Sequence, residues 1–325
     1  MNKLTDQFDR NLLYLRLSIT ELCNFRCQYC LPDGCNVKNK CFLNPNEIKR
    51  LVTAFAELGV QKVRLTGGEP TLRKDFIEII EIINAIEGIN EIAFTTNGYK
   101  LYKQARSIQN AGVNTVNISI DSLNADTFHK ITDHNCLPNV LDGVKQAQKV
   151  GFDRIKINVV LLKGINDHEF SNYLAWIKNE AIDIRFIELM QTGDNLDYFN
   201  RRHSSPQVFL KQLLDNDWRL NKNDLTSGPA TTLSHKNYKG QIGFIMPYDN
   251  SFCKNCNRLR VSSKGNLYLC LFTEKNHSLR HLLQADNQKE MLKLRICELI
   301  KYKKQSHFLE LSKTGITRNL AMIGG

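Results

Sequence analysis

Tyr14-Leu15-Arg16-Leu17-Ser18-Ile19-Thr20 alternates apolar and polar side chains: Leu15, Leu17 and Ile19 fall on one face, Arg16, Ser18 and Thr20 on the other. Successive side chains of a strand point to opposite faces, so one face of this segment meets an apolar layer and the other meets something polar. The pattern recurs downstream. Lys62, Arg64 and Thr66 oppose Val63 and Leu65; Asn117, Ser119 and Asp121 oppose Val116, Ile118 and Ile120; Lys156 and Asn158 oppose Ile155, Ile157 and Val159. Further strands are expected near 92–96 and 183–190. Between the strands lie stretches with apolar residues at three- and four-residue spacing, at 45–57, 76–85, 102–110, 140–150 and 169–179. Strands alternating with helices imply a parallel sheet. A doubly wound sheet, covered on both sides, would need apolar residues on both strand faces. The polar face instead favours an α/β fold built as an incomplete (β/α)6 TIM-like barrel with a ligand-filled interior, short of a closed barrel's full set of units.

After Met190 the alternation stops. Residues 191–203 read as a polar loop, 206–214 as a short helix, 218–243 as irregular or β-rich, and 284–304 as a basic helical stretch. The expected organisation is a barrel core over 1–220 and a C-terminal α+β extension over 221–325 that closes the barrel opening.

The chain has 325 residues, with 44 Lys and Arg against 33 Asp and Glu, a formal charge of +11. That excess favours anionic partners, although a basic surface alone would also account for it. No long apolar run suggests a membrane span, and the polar Met1–Arg10 segment shows no secretory signal. The expected location is the cytoplasm, where thiols stay reduced. Six of the ten cysteines cluster; Cys35, Cys41, Cys136 and Cys297 are scattered.

Cys23-Asn-Phe-Arg-Cys27-Gln-Tyr29-Cys30 places three thiols on the loop after the first strand. Three thiolates on a cubane [4Fe–4S] cluster leave one iron open to a small molecule. A zinc site completed by Cys35 or Cys41 is the alternative. This spacing resembles the radical S-adenosylmethionine (SAM) signature. Leu65-Thr66-Gly67-Gly68-Glu69-Pro70 resembles the segment that binds the SAM amino group in that superfamily, and two glycines let backbone approach closely. The resemblance further implies SAM contacts from Tyr29, Gly68, Ser119 and Met190.

Cys253-Lys-Asn-Cys256 and Cys270 form a second trio, which spacing alone would assign to zinc with His277 or His281. Arg258 and Arg260 follow it with the same strand parity, a grip suited to phosphate. Arg16, Lys62, Arg64 and Lys156 lie on the polar faces of barrel strands, and buried unpaired cations are costly. The set implies a polyanion, against individual salt bridges as the simpler reading. Arg185, on the opposite parity from Glu188 and Met190, is left out of the site.

Taken in order, the runs 15–20, 64–70, 95–98, 116–121, 184–190 and 253–261, with Cys270-Leu-Phe and the terminal Gly324-Gly325, resemble the molybdenum cofactor biosynthesis protein A family, the GTP 3′,8-cyclases. That resemblance implies two [4Fe–4S] clusters on Cys23, Cys27 and Cys30 and on Cys253, Cys256 and Cys270. It implies GTP held by Arg16, Arg64, Thr95, Lys156, Arg258, Leu259 and Arg260, and a Gly-Gly tail that reaches the active site. It also implies a flavodoxin- or ferredoxin-type electron donor and a downstream pterin synthase, without membrane or nucleic acid, and leaves a homodimer open. There is no P-loop, so the residues themselves reach only a polyphosphate-like anion. A radical SAM enzyme acting on RNA or a peptide, and a zinc-stabilised nucleic-acid-binding module, are the competing readings.

Overall fold

In the computed structural model, residues 4–35, 41–222, 227–317, 320 and 323 are described. The first half is the expected alternation: β1 (Tyr14–Thr20), α1 (Pro45–Glu57), β2 (Lys62–Gly67), α2 (Phe76–Asn84), β3 (Glu91–Thr96), α3 (Leu101–Asn110), β4 (Thr115–Ser119), α4 (Ala125–Thr132), α5 (Leu137–Val150), β5 (Arg154–Leu161), α6 (Phe170–Asn179) and β6 (Asp183–Glu188). Local chemistry sets the boundaries. Asn44 and Glu47 form a reciprocal capping box with Pro45 in the first turn of α1, satisfying amides that would otherwise lack partners. Gly151 ends α5 in the left-handed region at φ 83°, where a Cβ is disfavoured.

Two helices differ from expectation. α4 falls where none was read, capped by Asn124, whose side chain accepts from the Thr127 amide. The segment read as a polar loop after Met190 contains α7 (Leu196–Arg202), which buries no residue fully. Tyr198 and Phe199 pack partway against Ile131, Leu162, Ile165 and Leu189, and the Phe199 ring also lies 5.7 Å from that of Tyr248. A helix that short and polar carries too weak a periodicity to be read.

The second half adds α8 (Gln207–Leu214), β7 (Arg219–Leu220), β8 (Thr231–Ser234), β9 (Gln241–Ile245), β10 (Arg258–Val261), β11 (Asn266–Tyr268), β12 (His277–Ser278) and α9 (Lys289–Ile300). Among the described residues the strands form one twelve-stranded sheet in the order β12-β11-β10-β1-β2-β3-β4-β5-β6-β9-β8-β7. β10 pairs parallel with β1 and β9 parallel with β6, so the C-terminal segment extends the six-stranded core at both edges. β9 and β10 are not hydrogen-bonded to each other, and the barrel stays open along that side.

Leu15, Leu17, Ile19, Val63, Leu65, Val116, Ile118 and Ile157 are fully buried against the helices, each side chain contributing about 2 kcal/mol of burial free energy. The opposite faces are buried too. Arg16, Ser18, Thr20, Lys62, Arg64, Thr66, Asn117 and Lys156 are all under 10% exposed. The expected polar interior is therefore present, and it encloses a cavity.

Candidate functional site

The first cysteine loop leaves β1 and is pinned to the end of α4. The amides of Arg26 and Gln28 donate to the carbonyls of Thr132 and Ile131 at 3.0 and 3.1 Å. Phe25 anchors the loop among Phe128, Tyr99 and His134, with ring centroids 6.1, 6.3 and 4.9 Å away. The end of β2 then abuts this loop. The Gly68 amide donates to Thr20 O at 3.0 Å and the Glu69 amide to Leu22 O at 2.7 Å. A Cβ on Gly68 would lie 2.2 Å from Leu22 O, and one on Gly67 2.2 Å from Thr20 O. The glycine pair thus clears room for the cysteine loop as well. Glu69 is fully buried and accepts from the Thr71 and Thr96 hydroxyls at 2.6 and 2.8 Å and from the Asn97 amide at 2.6 Å, which ties β2 to β3.

Burial pushes the Cys23 thiol up to about 11 and Cys27 well above the ordinary range, with Glu69 and Asp121 adding to the effect respectively. Burial thus favours the neutral thiols, whose protons a bound metal would displace. Tyr29 donates to Asp121 at 2.8 Å, and Asp121 also accepts from the Val160 amide at 2.8 Å; burial nonetheless lifts its carboxyl to about 6.

The second trio differs. Cys253 and Cys256 sit in the turn before β10, and Cys270 follows β11. Burial alone would raise Cys256, but Lys303, Arg258 and Arg10 outweigh it and bring the thiol to about 6. Arg10, paired with Asp6 at 2.7 Å, donates to the carbonyls of Cys253, Lys304 and Gln305 at 3.1, 2.7 and 2.8 Å. It binds the N-terminal strap, the cysteine turn and the C-terminal segment together.

Both trios line one cavity, with an empty volume of about 1790 Å³ including its open mouth. Tyr29, Gly68, Ser119, Met190, Arg16, Arg64, Thr95, Arg258 and Arg260 line it as well. Strand register explains the cations. Arg260, Arg16 and Arg64 are direct neighbours across β10, β1 and β2, and Arg258, Tyr14 and Lys62 form the next row. Burial, then Arg260, holds Arg16 well below its usual value; burial, then Arg258, brings Arg260 to about 10. Tyr14 is raised by burial but lowered more by Arg64, Arg16, Lys62 and Arg258, so its phenol ends below the ordinary value.

None of Arg64, Arg185 and Arg258 joins an ion pair among the described residues. The Nε atoms of Arg64 and Arg185 and the Thr95 hydroxyl are buried without a hydrogen-bond partner. Each orphaned group costs about 1–3 kcal/mol, a penalty that an anionic ligand would remove.

Three placements depart from the sequence reading. Arg185 lines the cavity and is 9% exposed, whereas the parity count had excluded it. Arg185 and Ile187 line the cavity while Ile184 and Phe186 pack in the apolar core; Glu188, at the end of β6, lines the cavity too and pairs with His203 at 3.0 Å. The parity was counted from Glu188, the last residue of β6, and from Met190 beyond it. Leu259 points into the apolar core at 1% exposure and is not among the residues lining the cavity. Lys156 opens onto a second cavity of about 1120 Å³ at the other ends of the strands, which shares Arg64 and Arg185 with the first. Lys62 faces that lower cavity and pairs with Glu91 at 2.8 Å. Lys303, lining the main cavity, was missed because it belongs to a basic run that reads as a solvated face.

The C-terminal segment also arrives here: Arg260 donates to Ile323 O at 3.3 Å, and Ile323 is buried against Tyr268, Leu271 and Phe272. Gly324 and Gly325 lie outside the described residues.

Among curated proteins, the chain is 49% identical over 326 residues to the GTP 3′,8-cyclase of Mannheimia succiniciproducens, covering 100% of this chain and 97% of that one. It is 52% identical over 324 residues to the GTP 3′,8-cyclase of Psychromonas ingrahamii, covering 99% and 96%. The chain belongs to the GTP 3′,8-cyclase family. Consistent with that family, the radical SAM superfamily matches residues 17–177 and Molybdenum Cofactor Synthesis C matches residues 182–309. SuiB of Streptococcus suis, solved bound to S-adenosylmethionine, shares the fold with a TM-score of 0.65 at 13% identity, covering 89% of this chain and 68% of that one.

A GTP 3′,8-cyclase carries two [4Fe–4S] clusters and uses SAM, and the donors on this chain fit. Each trio offers soft thiolate ligands with room for a fourth, non-protein partner inside a shared cavity. Among the described residues no three His, Cys, Asp or Glu side chains gather closely enough to hold one metal ion; a cubane instead distributes its thiolates over separate irons. No described helix is long and apolar enough to cross a membrane.

Proposed function

We propose that this chain converts GTP to (8S)-3′,8-cyclo-7,8-dihydroguanosine 5′-triphosphate, the first step of molybdenum cofactor biosynthesis, with the following division of labour. Cys23, Cys27 and Cys30 hold the cluster that binds SAM, and Cys253, Cys256 and Cys270 hold the cluster that meets the guanine. Bound there, the first cluster would supply the electron for SAM cleavage and so the means of hydrogen abstraction at the ribose C3′, and the external electron donor would supply a further electron, with a proton, to complete the 7,8-dihydro product. The protein's share is to bind, orient and exclude water. Tyr29, Gly68, Ser119 and Met190 position SAM at the C-terminal strand ends. Arg16, Arg64, Arg185, Arg258 and Arg260, with Thr95, grip the triphosphate, which extends toward Lys156 in the lower cavity.

The proposed domains are a SAM-binding core over 1–220 and a substrate-cluster unit over 221–325. A flavodoxin- or ferredoxin-type electron donor, a pterin synthase receiving the product, a homodimer and a cytoplasmic location complete the proposal.

The observation that carries it is the meeting of two thiol trios and a row of buried guanidiniums in one cavity. Anaerobic reconstitution followed by SAM, dithionite and GTP tests it. About eight irons per chain, 5′-deoxyadenosine and loss of GTP are the expected results. Deoxyadenosine formation with GTP intact would reject the substrate.

Lys156 gives a quantitative test of the anion grip. Burial, then Arg185, Arg64 and Lys62, holds it near 6 against an ordinary 10.5. Between those values the folded chain binds fewer protons than the unfolded chain, so free-protein stability rises with pH across the window. A bound polyphosphate restores the charge. GTP binding at pH 8 is therefore expected to take up about one proton, and Lys156→Met to bind without that uptake. Calorimetry in buffers of different ionisation enthalpy reads the difference, and equal uptake by both proteins would remove Lys156 from the site.

A further inference from the structure

Lys303 follows α9 and is 2% exposed. Its ammonium donates to Arg258 O at 3.3 Å and, in a short contact, to Leu269 O. Arg258 lies two residues after Cys256, and Leu269 lies one residue before Cys270. The side chain thus clasps the two segments that carry the second trio, and it lines the same cavity.

No carboxylate forms an ion pair with Lys303 among the described residues. Of the other cations nearby, two are ion-paired and one lies over an aromatic ring. Arg10 is paired with Asp6 at 2.7 Å, Lys304 pairs with Glu274 at 3.0 Å on the surface, and Arg258 lies over the Phe252 ring at 5.5 Å. A buried ammonium satisfied only by carbonyls is a costly clasp, because a neutral amide would bridge the same oxygens without desolvating a charge. A lysine at this position makes physical sense when a negative group that the chain does not itself provide sits beside it. Three thiolates on a cubane leave the cluster with net negative charge, and reduction deepens it.

We propose that Lys303 is a positioning residue and counter-ion for the second [4Fe–4S] cluster, joining its ligand segments and stabilising its reduced, more negative state. The inference rests on the assignment of Cys253, Cys256 and Cys270 to that cluster. Charge beside a cluster tunes both ligand affinity and reduction potential.

The test uses the full-length chain with Cys23, Cys27 and Cys30 all changed to Ala, so that only the second cluster reports. Iron content and the midpoint potential of that cluster are compared with Lys303 intact, as Lys303→Met and as Lys303→Arg. Retained iron with a midpoint shifted to lower potential in Lys303→Met, reversed in Lys303→Arg, is the expected result. Loss of iron in Lys303→Met with retention in Lys303→Arg also supports the role. Unchanged iron and potential in Lys303→Met, or equal changes in both variants, would overturn it. Absence of iron with Lys303 intact would overturn the cluster assignment together with the inference.

Discussion

Cys270→Ser is expected to produce no cyclised nucleotide while still cleaving SAM. The first trio is held by β1, α4 and the end of β2 through backbone hydrogen bonds that do not involve Cys270. Cys270 lies across the cavity, after β11, partly buried beside Tyr268, Leu271 and Phe272. A serine hydroxyl is a poor replacement for a thiolate on iron, so on the proposed assignment the second cluster loses a ligand and with it the purine's anchor. Chemistry that depends on ångström-level placement of the ribose then fails, since misplacement by about 1 Å already costs about a hundredfold. Chromatographic measurement of 5′-deoxyadenosine and of cyclised product from one anaerobic reaction separates the two functions. Product at the unmodified enzyme's level from Cys270→Ser would remove the second cluster from the mechanism.

Gly68→Ala is the smallest change that should disable the opposite side of the cavity. The added methyl carbon would sit 2.2 Å from Leu22 O and 2.5 Å from Leu22 C. Both atoms are backbone, on the loop that leads into Cys23, and neither can rotate away. Relief requires β2 to part from that loop, which breaks the Gly68-to-Thr20 and Glu69-to-Leu22 hydrogen bonds and shifts the buried Glu69 carboxylate that also ties β3. The expected cost is about 3 kcal/mol of stability, the upper end for overpacking, with SAM cleavage reduced about a hundredfold or more by displacement of the thiols. Thermal unfolding and deoxyadenosine formation check the two parts. A Gly68→Ala protein with ordinary stability and SAM cleavage would show that the loop yields where the geometry says it cannot.

Much of this site was readable in one dimension because its logic is local. The thiols of each trio mostly fall within a few residues, and Arg16, Arg64, Arg258 and Arg260 are placed by strand parity, which the sheet preserved. Parity failed at β6 because counting began at Glu188 and Met190, where the strand ends and alternation no longer holds. α4 was missed although Asn124 signals its start, and its importance could not have been seen: it anchors the cysteine loop through carbonyls about a hundred residues away in sequence. Lys303 carried no signal, since one lysine in a basic stretch looks like solvent-facing charge until the fold buries it.

The strand–helix alternation of the first half, the polar-inward faces and the two clusters of thiols were determined by the sequence alone, because each depends on residue type and on spacing of a few positions. Which cations share a row, that β9 and β10 extend opposite edges of the sheet, that Lys62 is neutralised by Glu91 while Arg64 and Arg185 are not, and that both trios open into one cavity were decided only by the tertiary structure. The reason is physical: pairing register and burial are set by contacts between segments far apart in the chain, and a charge's role depends on which opposite charge or desolvating surface the fold places beside it.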